Sequence, residues 1–149
     1  MAKFIYRMQS ILDIKVKLEE QARMEFATAK MRLNEEEEKL SNLVSRREAY
    51  VLEGRKLQES GLNVLEIMEN RTAIENMKEL IARQEVCVRQ AEVLADEAAE
   101  RLTQAMQESK THTRLKERAF EEFLQEENKR EAKEVDELTS YTYGQRMKK

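Results

Sequence analysis

The chain has 149 residues; 38% are charged, 5% are aromatic, and there is no proline and no tryptophan. Its formal net charge is only −3 and its pI is near 5.5. This excludes an ordinary globular composition and a strongly basic nucleic-acid binder, and it favours long uninterrupted helices.

The only glycines are Gly54, Gly61 and Gly144, so the two strongest helix breakers are nearly absent. High charge alone would also fit disorder. Here 40% of the residues are apolar and they recur at regular intervals, which argues for packed helices instead. The residues after Met1 (Ala-Lys-Phe-Ile-Tyr-Arg) form no apolar signal core. No stretch approaches the ~20 apolar residues of a membrane span. Cys87 is the single cysteine and has no internal partner. The expected compartment is the cytoplasm, so the sequon Asn70-Arg71-Thr72 is read as chance.

From Met8 the apolar residues fall three and four apart. The expected first seam is Met8, Ile11, Lys15, Leu18 and Ala22, then Phe26, Ala29, Leu33, Glu36, Leu40, Leu43, Arg47, Tyr50, Gly54 and Leu57. This is a left-handed coiled-coil period. The repeated four-residue step at Ala22–Phe26 predicts a stutter. Lys15, Glu36 and Arg47 are polar seam members that lower stability but fix register.

The segment Glu59-Ser60-Gly61-Leu62-Asn63 is the one strong break. Gly61 suits the left-handed conformation that ends a helix. Asn63 suits an N-cap, with Glu66 completing a capping box. A short turn makes the helices antiparallel neighbours.

The second seam runs from Ile67, skips polar Asn70, and continues Ile74, Met77, Ile81, Gln84, Val88, Ala91, Ala95, Ala98, Leu102, Ala105, Ser109, His112, Lys116, Ala119 and Phe123. A flanking row of Leu80, Cys87 and Leu94 is expected to widen its face. The alanines should allow close helix approach.

The expected fold is all-α, one antiparallel coiled-coil hairpin over residues 1–149. Helix one covers about 4–60, the turn about 61–63, helix two about 64–138, and a frayed tail 139–149. The helices would span roughly 80 Å and 110 Å. Helix two therefore outlasts its partner beyond about residue 120, leaving Phe120, Phe123, Leu124, Val135 and Leu138 in or beside a bare overhang.

Nothing in this pattern builds catalytic chemistry. A two-helix rod has no water-excluding cleft, so no enzyme and no cofactor are expected. His112 is the only histidine and sits on the seam, where packing is the plainer role. Cys87 reads as a small apolar filler, since a reactive thiolate needs activation. The run Glu35–Glu38 spreads around a helix and does not converge as metal ligands must. No glycine loop resembles a phosphate cradle. Basic residues gather toward the first third and at Arg146, Lys148 and Lys149, without a continuous stripe or stacking aromatics. Nucleic-acid binding is therefore not expected.

Several short patterns resemble the flagellar FliJ family. Phe4, Arg7, Met8, Ile11, Leu12 and Ile14 are similar to its N-terminal entry. Leu40-x-x-Leu43-x-x-x-x-x-x-Tyr50 and Ile74-x-x-Met77-x-x-x-Ile81 flank the turn as in that family. The ending from Lys129 to Leu138 resembles its lysine-rich close.

The resemblance implies a non-enzymatic stalk of the flagellar type III export apparatus, like the central stalk of rotary ATPases. The implied partners are the hexameric export ATPase, the membrane export gate and export chaperones, with the chain peripheral at the inner face of the cell membrane and not inserted in it. The implied gate contact near the tip is Leu43, Tyr50, Met77 and Leu80. Ala73 stands where a bulkier aromatic can occur. The open end, with Phe4, Met8, Leu12, Phe120, Phe123 and Leu124, is the expected ATPase contact. Competing readings are the equivalent stalk of a virulence injectisome or rotary ATPase, and a prefoldin-like holdase, which would need β-hairpins at its tip.

Overall fold

The computed structural model describes residues 2–61 and 63–147. Leu62 in the expected turn, and Lys148 and Lys149 in the expected tail, lie outside the described residues. Two helices account for nearly all of it, α1 (Gln9–Ser60) and α2 (Val64–Met147), and there is no strand among the described residues. They pack as an antiparallel hairpin. The chain divides into two compact units, Gln21–Thr103 and Met1–Glu20 with Gln104–Lys149.

The turn belongs to the first of these units. Gly61 adopts φ 69°, and its amide donates to the Leu57 carbonyl at 3.1 Å. This is the left-handed residue that ends a helix. Ser60 Oγ donates to the same carbonyl at 3.1 Å. Asn63 Oδ1 then accepts from the amides of Leu65 and Glu66 at 3.1 and 3.4 Å, which caps α2. The Glu66 carboxylate adds no reciprocal bond, so the expected capping box is half formed.

Within Gln21–Thr103 the cross-helix pairs run Glu25 with Arg101, Glu36 with Gln84, and Tyr50 with Asn70. One number rises as the other falls, as antiparallel helices require. The core here is Leu33, Val88, Ala91 and Ala95, with Ala29 and Leu40 packed on it. Among the described residues no large side chain is fully buried. Two helices cover only one stripe on each other.

Burial along α2 takes in every member of the expected seam from Ile67 to Phe123, with Ala73, Ala99 and Glu108 half-buried beside it and one fully seated addition. Asn70, skipped as polar, is buried. The flanking row does not widen the face, because Leu80, Cys87 and Leu94 are exposed. They stand one position beside the seam, and a second helix does not reach that far. Cys87 is therefore a surface thiol and not a filler.

Burial along α1 corrects the expected seam at its start. Leu12, not Ile11, is buried, and Glu19, not Leu18, is half-buried. From Leu12 through Lys15, Glu19, Ala22 and Phe26 the steps alternate strictly between three and four, so there is no stutter. The expected stutter arises only if Leu18 replaces Glu19 in the seam, and Leu18 is exposed. Arg47 occupies a seam position yet is exposed, as a long basic chain can be while its stem covers apolar surface.

The unit Met1–Glu20 with Gln104–Lys149 corrects both outer boundaries. Helix α1 begins at Gln9, not Phe4, with Leu12 N–H donating to Met8 O at 3.1 Å. The preceding residues leave the helical path so that the Phe4 ring reaches Phe120 and Phe123. Helix α2 continues through the expected frayed tail to Met147. Gly144 alone costs about 1 kcal/mol, too little to stop a helix that has no proline.

Candidate partner-binding surfaces

Near the turn, Asn70 organises the hairpin. Its Nδ2 donates to the Tyr50 carbonyl at 2.8 Å, and its Oδ1 lies against Gly54 where a β-carbon would stand. Tyr50, Glu53, Leu57, Glu66, Glu69, Asn70 and Ala73 line a shallow, mostly polar groove beside this contact. Leu52, Val64, Leu65 and Met68 are exposed apolar residues close to the turn.

The four residues expected at the gate fall into different environments. Leu43 and Tyr50 are half-buried on the α1 seam. Met77 is buried, with 5% of its surface exposed, whereas Leu80 keeps 42%. Leu80 alone among them is free to meet a partner without the seam opening.

In the other unit, three rings form a cluster. Phe4 meets Phe120 edge-on with centroids 5.2 Å apart and interplanar angle 68°. Phe4 lies 5.4 Å from Phe123, and Phe120 stacks on Phe123 at 6.5 Å. Such pairs add about 0.5–1.5 kcal/mol beyond their burial. Phe120 and Leu124 nevertheless stay 43% exposed. Met8 is exposed and Leu12 is buried. The bare stretch of α2 therefore begins after Phe123. From Leu124 to Met147 every residue except Glu127 is exposed.

Lys15 Nζ donates to Glu108 Oε2 at 3.0 Å in this unit. His112 is half-buried, and its Nδ1 is buried with no hydrogen-bond partner. Of the acidic run, Glu36 is drawn into the seam, while Glu35, Glu37 and Glu38 are exposed. Among the described residues no group of His, Cys, Asp or Glu converges as a metal site. No helix among them is long and apolar enough to cross a membrane.

The sequence profile described as the flagellar FliJ protein matches residues 4–148. The chain belongs to the FliJ family. It is thus a type III export apparatus stalk protein, in a family of non-catalytic components of that apparatus. Among solved structures, this FliJ-family chain is similar to a Chlamydia trachomatis protein, CT670, described as a homolog of YscO. The TM-score is 0.72 at 22% identity, over 99% of each chain. No curated protein matches the sequence.

Proposed function

We propose that this chain is the non-enzymatic stalk of a flagellar export apparatus, promoting assembly of the export ATPase hexamer and coupling it to the membrane export gate. On this reading it also engages export chaperones, and it works in the cytoplasm at the inner face of the cell membrane. Family membership supports the apparatus.

The observation that carries the ATPase contact is the ring cluster of Phe4, Phe120 and Phe123 beside exposed Leu124, followed by a stretch of helix with almost no intramolecular cover. Contiguous exposed apolar groups of this kind mark interaction sites. Met8 is exposed four residues after Phe4, and Leu12 is buried on the seam of the same unit. For the gate, Leu80 is the accessible member, with Leu43, Tyr50 and Met77 holding the backbone that presents it.

The test is a turnover assay with the cognate export ATPase. The chain alone should hydrolyse no ATP. Added to the ATPase, it should raise turnover several-fold and shift the ATPase toward hexamer in sedimentation. Unchanged turnover and unchanged assembly would refute the stalk role.

A further inference from the structure

A second surface lies on one flank of the unit Gln21–Thr103. Leu80, Cys87 and Leu94 recur every seven residues on α2, all exposed, and Arg101 is the next member of that row. Arg101 Nε lies 3.7 Å from Glu25 Oε2 on α1. In an antiparallel coil, two rows that meet at one point continue side by side, because both advance by heptads in opposite directions. Counting from Glu25, the α1 row that accompanies Leu94, Cys87 and Leu80 is Arg32, Lys39 and Arg46, all exposed.

One helix thus offers an apolar row and the other a row of cations. Val86, Val93 and Leu94, with Arg89 and Gln90, line an open and largely apolar depression on the α2 side. Arg32, Arg46 and Arg83 have no ion-pair partner among the described residues, and Lys39 meets only Glu36 of its own helix, at 3.7 Å. The chain's net charge is negative, so this basic flank runs against its overall balance.

We propose that this flank docks an amphipathic acidic α-helix of a partner protein, with its apolar residues on the Leu80–Leu94 row and its carboxylates toward Arg32, Lys39 and Arg46. The heptad spacing of the apolar row is what a third helix matches. The unpaired cations set the sign of its charge. A bilayer fits less well, because the α1 row is wholly charged and an interfacial helix needs a broad apolar face. The proposal goes beyond the stalk reading and does not depend on it. Leu80 is shared with the proposed gate contact, but the residues that decide the proposal, Val93, Leu94, Arg32 and Arg46, lie outside the proposed gate and ATPase contacts.

Cys87, the single cysteine, reports on the site without added labels. The full chain would be treated with a thiol reagent alone and with a synthetic helical peptide carrying leucines at heptad spacing flanked by glutamates. Saturating peptide should slow the reaction of Cys87 about tenfold. The paired change Val93→Ser with Leu94→Ser should raise the concentration needed about tenfold or more. Arg32→Glu with Arg46→Glu should do the same, and circular dichroism should be unchanged because all four side chains are exposed. A peptide with lysine in place of glutamate should give no protection. The proposal is overturned by no protection from the acidic peptide, or by equal protection from the lysine peptide. Equal protection by phosphatidylserine vesicles would assign the flank to membranes instead. Concentration-dependent protection without peptide, with a dimer in sedimentation, would assign it to a second copy.

Discussion

Asn70 occupies the space that a β-carbon on Gly54 would need. The same side chain is buried and donates to Tyr50 O at 2.8 Å, so its amide is held and cannot swing aside freely. Position 54 on α1 and position 70 on α2 therefore fit only as a pair, and they fix the register of the hairpin next to its turn.

Gly54→Ala should accordingly destabilise the protein, although alanine is favoured over glycine in a helix by about 1 kcal/mol. The displaced Asn70 would lose its hydrogen bond while buried, at a cost of about 1–3 kcal/mol. The double change Gly54→Ala with Asn70→Ala removes the conflict. The Tyr50 carbonyl keeps its helical partner at position 54, so the double variant should melt at or above the wild-type temperature. Thermal melts of both variants check this. A stabilised Gly54→Ala single variant would show that Asn70 yields easily.

Gln84 and Glu36 make a second register lock. Gln84 Nε2 donates to the Glu36 carbonyl at 2.9 Å and also to its carboxylate. Only 13% of the Glu36 side chain is exposed. Gln84→Leu leaves that carboxylate without its cross-helix donor and should cost about 1–2 kcal/mol. Replacing both residues with leucine should recover or exceed wild-type stability, because an apolar pair replaces two desolvated polar groups. Urea denaturation of the two single variants and the double variant measures the coupling. Additive effects would mean the pair is not a working contact.

The hairpin and nearly the whole second seam were legible from periodicity, because from Ile67 to Phe123 the members keep an almost unbroken three-four spacing that the flanking row of Leu80, Cys87 and Leu94, at sevens only, does not supply. Asn70 was missed for being polar, although the spacing from Ile67 to Ile74 demands a seam member there. Gly54 at the matching distance before the turn was the available signal. Leu18 against Glu19 shows the opposite error, where hydropathy overrode an unbroken three-four spacing. The start of α1 was not legible. It depends on Phe4 meeting rings more than a hundred residues away in the sequence, a contact that no local pattern encodes. Of the expected partner-surface residues, Phe4 and Met8 precede α1 instead of lying on it, and the others lie on the expected helices. Periodicity put Met77 on the seam and Leu80 beside it, and the structure buries the first and exposes the second; grouping both as one contact surface ignored that difference.

That difference yields a prediction for the proposed gate contact. Met77→Ala should cost about 2 kcal/mol of stability by emptying part of the seam. Leu80→Ala should leave the melting temperature within about a degree or two, as surface changes do. If Leu80 is the accessible gate residue, its alanine variant should bind the export-gate protein about tenfold more weakly, with unchanged helicity. Tyr50→Ala should show both effects in part. Wild-type gate affinity for Leu80→Ala, with a loss for Met77→Ala that simply tracks unfolding, would remove the tip from the gate assignment.

The aromatic cluster separates holding from binding at the proposed ATPase contact. Phe4 anchors the residues before α1, and Phe123 is half-buried beneath it, whereas Phe120 and Leu124 keep 43% of their surfaces exposed. Fully burying such a side chain is worth roughly 1.5–3 kcal/mol, from which association subtracts its ordering costs. Phe120→Ser with Leu124→Ser should therefore abolish stimulation of the cognate ATPase while Phe4 still rests on Phe123 and helicity is kept. The triple change that adds Phe123→Ser should be no worse for stimulation but should lower the melting temperature, because the last ring contact with Phe4 is gone. Phe4→Ala should weaken stimulation only in part, since it frees the N-terminal segment without removing the exposed groups. Turnover, sedimentation of the ATPase and thermal melts, run on the same four proteins, distinguish these outcomes. Wild-type stimulation in the Phe120 and Leu124 double variant would place the ATPase contact elsewhere on the chain. Stimulation that followed melting temperature alone would show the cluster to be structural.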